Sequence, residues 1–144
     1  MKKLLDKLNR YFEPRKDYGA VFLRIIIGWR LIHGTYDNVF SWERMLEFRD
    51  FLEHQGVAAP LLAANLSVYA QFFCGILYVI GLWVRPAAII MIVNFVAALG
   101  IAHVGDSFIN AFDALMILFG SAFFLFYGAG KISLDHWLTG RKKY

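Results

Sequence analysis

Three polar side chains recur on one face of an otherwise apolar segment near the start of the chain. The segment Tyr18–Val39 is built mainly from Ala, Val, Phe, Leu, Ile and Gly, and it carries Arg30, His33 and Asp37. Their spacing of three and four residues places them on the same side of an α-helix. An arginine, a histidine and an aspartate so arranged can hold a polar ligand, move a proton or form an ion pair.

The apolar surroundings make this polar stripe costly. About 20 helical residues cross the hydrocarbon core of a bilayer, and Tyr18–Val39 is long enough to do so. An arginine at the centre of a membrane helix costs on the order of 3 kcal/mol, and Arg24 adds a second charge to the same segment. Such residues are tolerated where they face polar partners or a wet cavity, so the stripe is the first candidate for a functional site. We expect Arg24, which lies nearer the amino terminus, to hold the helix ends or to extend towards the headgroups.

Further polar residues are expected at a similar depth on the other apolar segments. They are Gln71, Asn94, His103 and Asp113. In a bundle of antiparallel helices, these side chains and the stripe would converge in the half of the membrane remote from the termini. Either Asp113 or Asp37 would then compensate the charge of Arg30. His33 and His103 would titrate near physiological pH.

This polar cluster has more than one interpretation. It is a structural network of ion pairs and hydrogen bonds, or it lines a cavity for a quinone, a lipid or another small amphipathic molecule. Haem held between His33 and His103 is a weaker alternative, because two histidines alone are poor evidence for a haem site. The sequence has no His-x-x-x-His spacing for a metal, and we assign no catalytic residue. The single cysteine, Cys74, excludes an intramolecular disulfide and a Cys-x-x-Cys redox pair.

The elements that would position these residues are membrane helices. Of the 144 residues 59% are hydrophobic and 17% aromatic, which is too apolar for an ordinary soluble domain. Four segments have the length of a membrane helix, at about residues 18–39, 60–83, 86–103 and 108–128. We therefore predict one all-α domain, an integral membrane four-helix bundle with up-down topology. Amphipathic stretches at about 3–13 and 42–54 predict short interfacial helices.

The basic residues indicate the orientation of this bundle. Eleven of them flank the termini or the turn after the second segment: Lys2, Lys3, Lys7, Arg10, Arg15, Lys16, Arg85, Lys131, Arg141, Lys142 and Lys143. The connection after the first segment holds only Arg44 and Arg49, and the connection after the third holds none. The positive-inside rule therefore places both termini in the cytoplasm and the polar cluster in the outer half of the membrane. Because the net charge of +4 follows this pattern, it does not indicate nucleic-acid binding.

Several short motifs resemble those of one known family, the DoxX family. The resemblance covers roughly residues 18–138 and depends on the order and spacing of the motifs. In chain order they are Leu23-Arg24, Gly28, His33-Gly34, Gly75, Gly81, Arg85-Pro86-Ala87-Ala88, His103 and Gly128-x-Gly130-x-x-Ser133-Leu134-Asp135.

The resemblance implies a small four-helix protein of the bacterial inner membrane. Members of the family are linked with thiosulfate:quinone oxidoreduction, with resistance to thiol and quinone stress, and with membrane complexes that combine a redox partner and a detoxifying enzyme. Two positions depart from the family pattern. Asp37 stands where members commonly carry Lys, and Gln71 lies near the place of a frequent Glu. Both departures change the charge of the polar cluster.

Two hypotheses for the function follow. In the first, the protein is redox-associated: Arg30 and His33 hold or protonate a quinone carbonyl, and Asp113 sets the charge of the site. The sequence offers no thiol pair, flavin motif or metal set, so the electrons would come from a partner. In the second, the chain is a non-catalytic accessory subunit that stabilises a larger membrane complex. A small transporter is a third alternative, disfavoured because four helices without breaks or inverted repeats do not suit it.

Overall fold

The computed structural model describes residues 1–102, 104–105 and 107–140 of the chain. Throughout these residues the regular structure is helical, which confirms the all-α prediction. The helices are α1 (Lys2–Phe12), α2 (Asp17–Phe40), α3 (Trp42–His54), α4 (Pro60–Ile80), α5 (Val84–Ala102), α6 (Phe108–Tyr127) and α7 (Leu134–Thr139), with a 3₁₀ turn at Glu13–Arg15 between α1 and α2.

Three of these helices, α4, α5 and α6, are long and apolar enough to cross a membrane. Helix α2 is longer, at 24 residues, but it is not among the three and carries four charged side chains along its length. An all-α membrane protein is thus confirmed. The number of four membrane-spanning helices stays a prediction, and it depends on how the charges of α2 are accommodated.

The long helices form two closely packed pairs. Helix α2 lies against α4, and α5 lies against α6, while the contact between α4 and α5 joins the two pairs. Contacts between α2 and α6 are much sparser. We call the end of the bundle where α2 and α5 begin and α4 and α6 end the terminal end, and the other end the outer end.

The main core lies where the two pairs meet. Tyr78 of α4 is completely buried there, and its hydroxyl donates to Ser121 Oγ of α6 at 2.8 Å. The ring of Phe124 packs edge-on against Tyr78, with 4.9 Å between centroids. This hydrogen bond satisfies both buried hydroxyls and ties the two helix pairs together.

Helices α2 and α4 approach each other most closely at two glycines. A Cβ atom placed on Gly28 would lie 2.6 Å from the carbonyl oxygen of Gly75. A Cβ atom on Gly75 would lie 2.8 Å from the carbonyl oxygen of Gly28. Both distances are far below a van der Waals contact, so the crossing accommodates only residues without a side chain, as is common between membrane helices.

The two amphipathic helices lie at opposite ends of the molecule. At the outer end, Ser41 caps α3, and Met45 and Leu52 are buried against α4 in a second, smaller core. Helix α1 precedes the terminal end and has no buried residue. Its apolar side chains are exposed, namely Leu4, Leu5, Leu8, Tyr11 and Phe12. An exposed apolar stripe on a basic helix is typical of a segment lying in the membrane interface.

Replacing Gly28 by Ala should destabilise the α2–α4 crossing, because the new methyl group meets backbone atoms that cannot rotate away. We expect a loss of about 1–3 kcal/mol in the free energy of unfolding. The matched control is Gly19→Ala on the same helix, where a Cβ meets nothing within 4 Å. Thermal unfolding in mild detergent compares the two variants. Equal midpoints for both would contradict the close crossing.

The orientation of the bundle can be tested with single cysteines. The native Cys74 is buried, so it should not react with a maleimide that cannot cross membranes. We expect Gln55→Cys, after α3, to be labelled on intact cells, and Lys2→Cys to be labelled only after the membrane is permeabilised. The reverse labelling pattern would place the termini outside.

Candidate functional site

Two of the residues predicted for the polar cluster meet in an ion pair. The Arg30 guanidinium of α2 donates to Asp113 Oδ2 of α6, at 2.5 Å from Nη2 and 3.2 Å from Nε. The side chains are 47% and 61% exposed, so the pair lies on the surface of the bundle and not in its core. It bridges the sparse contact between α2 and α6.

The other two residues of the stripe, His33 and Asp37, also lie at the surface. His33 is exposed one turn beyond Arg30, and its ring centroid is 6.3 Å from that of Trp29. Asp37 is exposed one turn further on. Since Arg30 pairs with Asp113, it is Asp113 and not Asp37 that compensates the arginine in this structure.

The remaining predicted site residues are not joined to this pair. Gln71 is half-buried and donates from Nε2 to Ser67 Oγ at 3.0 Å, within its own helix. Asn94 is half-buried on α5, and its Nδ2 atom is buried without a hydrogen-bond partner in the described part of the chain. His103 lies outside the described residues. The structure therefore brings together Arg30 and Asp113, with His33 beside them on the same helix.

A second polar network occupies the terminal end, and the sequence predicted a role there only for Arg24. At its centre is Arg24 of α2, which is 2% exposed. Its Nη2 atom donates to the carbonyl oxygen of Ile132 at 2.6 Å, in the segment after α6. Its Nη1 atom lies directly against Gly81, where a Cβ atom would collide with it. Arg24 thus holds helix ends together, one of the two roles expected from the sequence.

Two features of the structure require a glycine at Gly81. It ends α4 in the left-handed conformation, with φ 72°, and its N–H and that of Leu82 close the last turn on carbonyls of α4. This is the usual glycine-terminated helix end. The missing side chain also leaves the space that the Arg24 guanidinium occupies.

Asp17, at the start of α2, ties the same end of the bundle to α6. It is only 8% exposed. Its Oδ1 atom accepts hydrogen bonds from the Tyr127 hydroxyl at 3.1 Å and from the Lys131 backbone N–H at 3.0 Å. A carboxylate with two such donors is well compensated in a nearly buried place.

Asp135 caps α5 from a distant part of the chain. Its Oδ1 and Oδ2 atoms accept hydrogen bonds from the backbone N–H groups of Trp83 and Val84, at 2.8 and 3.0 Å. Its own N–H donates to the carbonyl oxygen of Gly81 at 2.9 Å. Trp83 has a positive φ of 49°, which is rare for a residue with a side chain. The Asp135 carboxylate holds this strained turn in place.

Four of the eight family-like motifs meet in this network, those of Arg24, Gly81, Arg85 and Asp135. Arg85 adds to it by donating to the Leu125 and Phe126 carbonyls at the end of α6, at 3.2 and 3.4 Å. These four motifs, which are far apart in the sequence, therefore form one structural unit. The signal for this unit was present in the sequence, because Arg24, Gly81, Arg85 and Asp135 all fall in those motifs. What the motifs could not show is the partner of each residue.

The fold and these two polar regions describe a multi-pass, all-α membrane protein. The family model named DoxX matches residues 19–104 of the chain, more than half of its length. Inner membrane protein YphA of Escherichia coli strain K12 is 27% identical over 138 residues, covering 88% of this chain and 96% of the relative. No solved structure matches.

The chain therefore belongs to the DoxX family, and it is an inner-membrane protein. The resemblance carried by the short motifs is confirmed by the family match. The relative's printed name gives a location and no activity.

Removing the Asp135 carboxylate should destabilise the terminal end. Asp135→Ala leaves the N–H groups of Trp83 and Val84 without acceptors, which we expect to lower the free energy of unfolding by about 1–3 kcal/mol. Asp135→Asn keeps one carbonyl acceptor and should lose less. The control is Asp6→Ala, at an exposed position on α1. If thermal unfolding shows the same midpoint for Asp135→Ala and Asp6→Ala, the cap contributes nothing.

Proposed function

We propose that the protein is a partner-dependent, redox-associated membrane protein that binds the polar head of a quinone-like molecule beside Arg30. The observation that supports this is the position of the Arg30–Asp113 ion pair. The pair is about half exposed, on helices whose outer surfaces are mainly apolar.

An ion pair facing hydrocarbon is expensive to maintain. Charged residues inside a membrane are expected to face a partner, a ligand or a water-filled cavity. Asp113 is the sixth residue of α6, roughly 8 Å along the helix from its first residue, and we expect this position to lie within the hydrocarbon. A molecule that brings a carbonyl or hydroxyl group to Arg30 would replace the lipid chains there with a hydrogen-bonding partner.

The surrounding helices suit a ligand that arrives from the bilayer. Helices α2 and α6 belong to different closely packed pairs and contact each other only sparsely. A molecule in the membrane can therefore reach the ion pair sideways, without passing through the core. A quinone has an apolar tail for the lipid and carbonyl oxygens that accept hydrogen bonds from a guanidinium.

The chemical contribution of this chain would be binding and protonation. Arg30 would hold a carbonyl oxygen, and the exposed His33 one turn away would supply or take a proton. Asp113 keeps the arginine in position. The electrons would be delivered by a partner protein, since the sequence carries no Cys-x-x-Cys pair or other redox motif of its own.

A second candidate is a non-catalytic accessory subunit. The same exposed ion pair favours it, because a polar side chain on a helix of another subunit would cover Arg30 and Asp113 equally well. The outer helix α3 adds a charged surface at that end, where Arg44 and Glu47 form an exposed ion pair at 2.8 Å. In this case the polar pair would specify a protein interface and not a ligand site.

Purification in mild detergent, followed by mass spectrometry of the organic extract and of copurifying polypeptides, distinguishes the two functions. We expect a quinone-like molecule to accompany the native protein and to bind at least about tenfold more weakly to Arg30→Gln, because a charge-assisted hydrogen bond is lost. Arg44→Gln removes an exposed, paired arginine at the same end and should bind normally. Stoichiometric partner chains lost in Arg30→Gln, with no such molecule, would instead establish the accessory subunit.

A further inference from the structure

A polar cavity of about 570 Å³ opens at the terminal end, remote from the Arg30–Asp113 pair. It lies between the start of α2, the turn before α5 and the segment after α6. The residues that line it include Lys16, Arg85, Lys131, Ser133 and His136. Neither the network that holds this end together nor the proposed function requires an open cavity here.

The two carboxylates among the residues that line the cavity, Asp17 and Asp135, accept hydrogen bonds from other groups of the protein. Asp17 accepts two hydrogen bonds, from Tyr127 and from the Lys131 backbone. Asp135 uses both of its oxygens on the N–H groups at the start of α5. These bonds hold the negative groups against the protein, whereas the Lys131 and His136 side chains are exposed. The charged residues of the lining that remain for an anion are the basic residues Lys16, Arg85 and Lys131.

Two further features add positive charge. The guanidinium of Arg24 and the side chain of Ser133, which lines the cavity, both lie beside Gly81, and the Arg24 Nε and Nη1 atoms have no hydrogen-bond partner among the described residues. Lys16 is 57% exposed, and its hydrogen bond and attraction to Glu13 raise its pKa, so it stays protonated at neutral pH. Basic pockets between membrane helices bind the phosphate groups of lipids.

A shallow apolar groove lies along α6 and shares Tyr127 with this cavity. It has a volume of about 610 Å³ and is lined by Phe119, Ala122, Phe123, Phe126 and Tyr127. Tyr127 belongs to both spaces, and its ring stacks on that of Phe123 at 5.1 Å between centroids. A basic cavity and an aromatic groove thus meet at Tyr127, on a helix long and apolar enough to cross a membrane. A soluble anion would contact only the basic cavity, whereas a lipid would contact both the cavity and the aromatic groove.

We propose that the terminal end is a binding site for an anionic phospholipid. The phosphate and headgroup lie in the cavity among Lys16, Arg85 and Lys131, and an acyl chain lies along the aromatic groove of α6. The site also gives a role to Lys131, whose side chain is exposed at this opening. It uses none of the residues of the Arg30–Asp113 pair, so either proposal can fail without the other.

Native mass spectrometry of the full-length protein, with defined lipids added in detergent, tests the site. The probes are phosphatidylglycerol, the zwitterionic phosphatidylcholine and inorganic phosphate. We expect phosphatidylglycerol to be retained in preference to phosphatidylcholine, and the double variant Lys16→Gln, Lys131→Gln to weaken its retention on the order of tenfold. The matched control is Lys2→Gln, Lys3→Gln, which removes the same charge at the same end and should change retention by less than about twofold.

The acyl-chain part of the site is tested separately. Phe119 and Phe126 are 69% and 81% exposed in the groove, so their replacement by Ala should not disturb the core. We expect the Phe119→Ala, Phe126→Ala variant to retain less phosphatidylglycerol, whereas Phe108→Ala, at the other end of α6, should behave as the native chain.

Two outcomes would overturn the proposal. If both double lysine variants lost the same amount of bound phosphatidylglycerol, general surface charge would explain its retention. Competition by inorganic phosphate without retention of lipid would assign the cavity to a free anion and overturn it too.

Discussion

The buried guanidinium of Arg24 is the constraint on which the terminal end depends. Taking an arginine out of water costs several kcal/mol unless hydrogen bonds and nearby opposite charge compensate it. Here the compensation comes from the Ile132 carbonyl and from the field of Asp135, both in the segment after α6. Gly81 contributes by having no side chain. Arg24 therefore constrains both the end of α4 and the path of the chain after α6.

The buried network at the terminal end and the Arg30–Asp113 pair differ in how far their charges are exposed. At the terminal end, Asp17, Arg24 and Asp135 form hydrogen bonds with backbone groups and are largely shielded. At the outer end, the Arg30–Asp113 pair forms across a sparse helix contact and stays about half exposed. A charge shielded by the protein stabilises the fold, whereas one left at the surface is available to another molecule. Because of this contrast, we assign a structural role to Asp17, Arg24 and Asp135. We assign ligand or partner binding to the Arg30–Asp113 pair.

The helices were predictable from the sequence, and the long-range polar contacts were only partly so. Hydrophobic length and the Ser41 cap are local signals, and they indicate the apolar segments and the position of α3. The similar depth expected for Arg30 and Asp113 in the membrane was enough to predict that they could pair. Nothing local shows that Asp135 caps α5, because 51 residues separate it from Val84 and the bond depends on how α7 is placed. The side-chain directions that leave Gln71 and Asn94 apart from Arg30 are likewise set by helix rotation, which spacing alone does not determine.

The cap that Asp135 provides has a consequence for the order of assembly. Helices α2, α4 and α5 are all translated before residues 128–135, which contain their shared partners. Until that segment emerges from the ribosome, the Arg24 guanidinium lacks the Ile132 carbonyl, and the turn at Trp83 lacks its acceptors. The segment that follows α6 therefore locks helices that were synthesised before it.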